Sequence, residues 1–141
     1  MPTPPEKPFS WGLQQLTLLN SRFNQKADKG KPRANALPPL ETSIQTLNEG
    51  LSKVKTCGDL STALSEFWVS IIFEIHPFSA GNAPTAKFLI IQSLRRFDLA
   101  LQNPWLFEEF SSSQNFDEDR TQLSKAVLEN LKIFDPIAQT V

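Results

Sequence analysis

The sequence predicts an all-α fold, and three observations carry that prediction. Leu40, Ile44, Leu47, Leu51 and Val54 recur at helical spacing and form one apolar stripe. A run through Leu64, Phe67, Trp68, Val69, Ile71, Ile72, Phe73 and Ile75 is apolar nearly all round, and its length from Ser61 points to a central buried helix instead of a strand. Leu123, Val127, Leu128, Leu131 and Phe134 predict a final helix from Asp117 to Phe134, with Asp117 to Asp119 at its positive N-terminal end.

The remaining elements follow in order. Residues 1–9 read as a mobile lead-in, because Met1 to Pro8 carries four prolines and little apolar content, and residues 10–141 read as one domain. Leu13, Leu16, Leu18, Leu19 and Phe23 predict a first helix with Ser10 as its N-cap, ended by the polar break from Lys26 to Pro32. Arg33 to Pro39 is short and proline-bounded, which suits a loop or a small β-hairpin ending at Pro38-Pro39. Cys57-Gly58-Asp59 ends the second helix, and Asp59 or Ser61 caps the third. His76-Pro77 stops that helix, since the ring of Pro77 disfavours helical geometry at the residue before it. A further helix is predicted from Pro84 or Thr85 through Phe88, Leu89, Ile91, Leu94 and Leu99. Asn103-Pro104 breaks it, Trp105 to Phe110 adds a turn, and Ser111 to Asn115 is a loop.

Composition narrows the function classes. A chain of 141 residues fits one domain. With 14 basic and 15 acidic residues and a formal charge of -1, there is no chain-wide electrostatic argument for nucleic acid or an anionic membrane as partner. Cys57 is the sole cysteine, so no internal disulfide can form, and no apolar run is long enough to span a bilayer. A reducing cytosol is the expected compartment, with later export as an effector left open. No metal-ligand set is assigned.

The chemistry-bearing stretch is His76-Pro77-Phe78-Ser79-Ala80-Gly81-Asn82-Ala83-Pro84-Thr85-Ala86-Lys87, which holds the only histidine beside a glycine-asparagine turn. It resembles the motif of the Fic family, HPFx(D/E)GNGRxxR. His76, Pro77, Phe78, Gly81 and Asn82 stand in register with that pattern, whereas Ala80 replaces the acid, Ala83 the second glycine, Pro84 the first arginine and Lys87 the second. The resemblance extends from about Leu13 to Leu131, because Gly30, Arg33, Pro38-Pro39 and the run from Leu64 to Ile75 follow the family's order of elements. It implies a Fic-like helical core with a short β-hairpin flap before Pro38-Pro39. Arg33, Ala34, Asn35, Ala36 and Leu37 would then face a protein partner, conceivably another Fic protein, through strand addition.

Active members of the family mostly transfer AMP from Mg-ATP to a protein hydroxyl, and the resemblance assigns His76 as the base. An imidazole of ordinary pKa near 6.5 can accept that proton at neutral pH. The bland alternative for His76 is a residue that merely ends a helix. Phe78, Gly81, Asn82 and Lys87 are the remnants of the phosphate loop. Ala83 adds a Cβ where the family's glycine permits close backbone approach, and Pro84 removes an N–H together with the guanidinium that would clamp phosphate. Ala80 removes the carboxylate position through which magnesium is held. Lys87 keeps a charge without the planar fork; its bland reading is a solvated lysine on a helix. A Glu129 to Lys87 contact would imitate the family's inhibitory helix, although Glu129 reads equally as a solvated helix carboxylate. The sequence reading is therefore a protein of Fic-type nucleotidyltransferase ancestry that needs no cofactor and acts as a protein-binding pseudoenzyme. The alternative is a divergent transferase, using Mg-ATP or another phosphorylated donor, with His76 as general base.

Overall fold

A computed structural model describes residues 9–134. The lead-in at residues 1–8 lies outside the described residues, but Phe9 is buried, stacked on Phe97 with ring centroids 5.4 Å apart. The fold is mostly helical, as expected, with six α-helices and one small antiparallel strand pair among the described residues. None of these helices is long and apolar enough to cross a membrane.

Helix α1 spans Leu13–Phe23 and begins at Gly12 instead of Ser10; the Gln15 side chain accepts from the Gly12 N–H at 2.6 Å. Only Leu16 and Asn20 of α1 are buried, while Leu18 points to solvent. Helix α2, Leu37–Ser52, buries Leu40, Ile44, Leu47 and Leu51 as its stripe requires. Pro38-Pro39 do not close a hairpin. They sit in the first turn of α2, where the missing N–H groups have no intrahelical partner to lose, and Ala34–Ala36 forms a 3-10 turn leading into it. Arg33 to Leu37 is therefore no flap hairpin.

Helix α3, Cys57–Val69, starts two residues before the earlier of its expected caps. Thr56 is the N-cap: its Oγ1 accepts from the Asp59 N–H at 3.0 Å, and Asp59 in turn accepts from the Thr56 N–H at 3.1 Å. The apolar run then changes pitch, because Ser70–Ile75 forms a π-turn closed by His76 N–H donating to the Ile71 carbonyl at 2.9 Å.

Helix α4 covers Asn82–Arg95, so it starts two residues before Pro84 and stops before Leu99. Leu99–Leu101 instead forms strand β1, followed by the single-turn helix α5, Leu106–Glu109. Helix α6 runs Phe116–Asn130 and yields to strand β2, Leu131–Ile133, in place of a helix continuing to Phe134. The strands pair antiparallel with Ala100 opposite Lys132. Leu123 and Val127 face the core, whereas Leu128 is exposed. The core centres on α3, whose Leu60, Leu64, Phe67 and Trp68 are buried among α2, α4, α5 and α6.

Candidate functional site

The segment from Ile75 to Asn82 is a turn held almost entirely by hydrogen bonds. At its head His76 has φ 48° and ψ 62°, the left-handed region that a non-glycine residue seldom occupies. Arg33 stabilises that geometry from below: its Nη2 donates to the Ile75 carbonyl at 2.5 Å and to the His76 carbonyl at 2.9 Å, and its Nε donates to the latter at 3.1 Å. The Arg33 N–H also donates to the Pro77 carbonyl at 2.8 Å. These carbonyls lie just past a helix end, where a guanidinium is favourably placed. Arg33, expected on a partner-facing flap, thus belongs to the motif loop.

Asn82 closes the turn from the other side. Its Oδ1 accepts from the Phe78 N–H at 3.0 Å, and its Nδ2 donates to the Phe78 carbonyl at 2.9 Å. The same Nδ2 lies 3.4 Å from Nε2 of His76, which places the acceptor form of the ring at Nε2 and its proton on Nδ1. The His76 side chain is exposed, while Pro77 and Phe78 are buried.

Gly81 is the N-cap of α4 with φ 75°. A Cβ here would stand 3.1 Å from the Phe23 carbonyl carbon and 3.2 Å from the Asn24 nitrogen, so the end of α1 seats directly on this residue. The fully buried Asn20 ties the same joint together. Its Nδ2 donates to the Ala80 carbonyl at 2.9 Å, and its Oδ1 accepts from Gly30 N–H at 2.9 Å and from Asn24 Nδ2 at 3.2 Å. The acid absent from position 80 has a neighbour from elsewhere in the chain: Asp28 Oδ1 accepts from Ser79 Oγ at 2.6 Å. Lys26 Nζ reaches the Ser79 carbonyl at 3.3 Å. Sequence reasoning missed Asn20, Asn24 and Asp28. The signal for the first two was their spacing, since Leu16, Asn20 and Asn24 continue one helical face.

Lys87 pairs with Glu108 at 2.5 Å and lies 4.0 Å from the centre of the Trp105 ring. Its carboxylate partner comes from α5 and not from Glu129. The altered positions Ala80 and Ala83 are half-buried and Pro84 is exposed, all without a polar side-chain group to offer a ligand. Among the described residues, no group of three or more histidine, cysteine, aspartate or glutamate side chains can hold a metal ion. The residues at this loop therefore do not fit the magnesium of the family's donor. Ala34, Asn35 and the His76 ring form the exposed rim beside it, and Ala36 is buried. No family model, curated protein or solved structure matches the chain.

Proposed function

We propose that this is a Fic-like protein whose motif survives as a structural joint, and that it acts as a protein-binding, regulatory pseudoenzyme without ordinary Mg-ATP AMP transfer. One observation carries the reading: the motif positions that match the family are, His76 apart, those the fold itself needs. Pro77 and Phe78 are buried, Gly81 has no room for a Cβ, and Asn82 clamps Phe78. The positions that differ, Ala80, Ala83, Pro84 and Lys87, are those a bound nucleotide would use. Losing a single preorganised electrostatic contact costs about two to three orders of magnitude in rate, so three losses together leave little of that reaction. The partner would meet the rim of Ala34, Asn35 and His76 without adding a strand, because the rim is a 3-10 turn.

Calorimetric titration with Mg-ATP tests this. The unmodified chain is expected to give no saturable heat, whereas the Ala80→Asp/Ala83→Gly/Pro84→Arg variant regains binding. Micromolar binding by the unmodified chain would sink the reading.

A second reading rests on His76 itself. Its ring is exposed and no packing contact explains its identity, and Asp28 brings a carboxylate to the neighbouring Ser79. In a divergent transferase, Nε2 would take the proton of a target hydroxyl while a donor other than Mg-ATP supplies the transferred group. Group transfer to a protein acceptor that is lost in His76→Ala, with the fold intact, would favour this over the pseudoenzyme.

A further inference from the structure

The far end of α4 carries a second feature, about 20 Å along the helix from the motif loop. There a groove of about 230 Å³ runs between α4 and β1, floored by Ile91, Leu94 and Pro104 and bounded by Leu99 to Gln102. Two charged residues line it, Arg95 and Lys132, and both are cations exposed to solvent.

The strand register defines which backbone groups face this groove. Gln102 N–H donates to the Asn130 carbonyl at 2.8 Å and Phe134 N–H to the Asp98 carbonyl at 2.9 Å, so positions 98, 100 and 102 are the bonded ones toward β2. Leu99 and Leu101 consequently direct their main-chain N–H and C=O groups to the opposite, unpaired edge of β1. Their side chains are buried in the core, which holds that edge in place. Ala100 and Lys132 share the other face, so a small side chain leaves the groove open beside a cation.

We infer that this groove binds an extended peptide segment of a partner protein, added as a third strand along β1, with apolar side chains on the α4 floor and a carboxylate on Arg95 and Lys132. The edge supplies main-chain hydrogen bonds, the floor supplies burial, and the two cations select charge. Arg95 is preorganised for this, since its guanidinium lies 4.9 Å from the centre of the Phe134 ring. The inference does not rest on the Fic-like reading and survives its failure.

The test uses fluorescein-tagged heptapeptides of alternating valine and threonine, each with one glutamate moved along the chain, and glutamine or lysine counterparts. Polarisation should show saturable binding for at least one glutamate peptide below about 1 mM. Its glutamine counterpart should bind about tenfold more weakly, as expected for loss of a charge-assisted contact. N-methylation of the peptide residues that face Leu99 and Leu101 should abolish binding, because it removes the strand bonds and leaves the side chains. The surface variant Arg95→Glu/Lys132→Glu, checked for folding by circular dichroism, should turn the preference toward lysine. The inference is overturned if no peptide saturates, if the N-methylated peptide binds as well as its parent, or if the charge-reversed variant keeps the glutamate preference.

Discussion

Two sides of α3 are held together by different physics. Toward α6 and α5 the contact is apolar: Leu64, Phe67 and Trp68 meet Leu123, Val127 and Phe107, with the rings of Trp68 and Phe107 5.2 Å apart. Beyond its other end, the π-turn, the 24–33 segment, the motif loop and the start of α4 are joined largely by amides and a guanidinium, through Asn20, Asn24, Arg33 and Asn82. Apolar packing is non-directional and spreads over many atoms, so it cements the whole domain; a hydrogen-bonded joint is directional, so each group in it fixes one local geometry.

Leu64→Ala gives the largest effect, because deleting a fully buried leucine side chain costs about 2–5 kcal/mol. Denaturant unfolding should show this loss everywhere, with amide protection falling in α3 and α6 together. Asn20→Ala comes next, at about 1–3 kcal/mol, since it strands the Gly30 N–H and the Ala80 carbonyl. Here the sharper readout is hydrogen exchange. Residues 24–31 and 76–82 should lose protection while α6 keeps it, and uniform loss would erase the distinction between the two sides.

Asp119 is the polar exception on the apolar side. Burial pushes its carboxyl upward, but hydrogen bonds from Ser112 Oγ, the Ser113 N–H and Ser113 Oγ outweigh burial and hold it below the ordinary 3.8. A lowered folded-state pKa contributes stability that is complete above the unfolded value and is lost as pH falls through the folded one. Acid titration of unfolding stability should therefore show a decline below about pH 3.8 that Asp119→Asn flattens.

The smallest effect belongs to His76→Gly. A left-handed backbone strains histidine by roughly 1–2 kcal/mol, and glycine's extra unfolded-state freedom offsets about half of that. Stability should stay within about 1 kcal/mol of the unmodified chain. A large loss would mean that the histidine ring, like its matched neighbours, is needed by the fold.

The apolar side was far more legible from the sequence than the polar one. The stripe from Leu40 to Val54 is buried as its spacing requires, and the unbroken apolarity of Phe67 to Ile72 marks α3 as central. The motif turn was legible too, through Gly81 and Asn82. What stayed hidden depended on long-range pairing. Asp28 and Ser79 lie 51 residues apart, and nothing local to either marks the other. The strands at Leu99–Leu101 and Leu131–Ile133 are three residues each, too short for a period-two pattern to emerge from the helical signal around them. Arg33 was read for its place before two prolines, and its guanidinium is engaged instead with carbonyls 42 and 43 residues onward.

The π-turn at Ser70–Ile75 has a consequence for the phase of the chain. Closing a turn over five residues rather than four advances the backbone by one extra residue, which in an α-helix corresponds to about 100° of rotation. Deleting one residue between Ser70 and Ile75 would restore regular pitch without removing any packing stripe from α3, yet it would aim residue 76 away from Asn82 and pull its carbonyl off Arg33. The orientation of His76 is thus set by a count of residues in the preceding helix, and a change of length there would act on the site as strongly as a change of side chain within it.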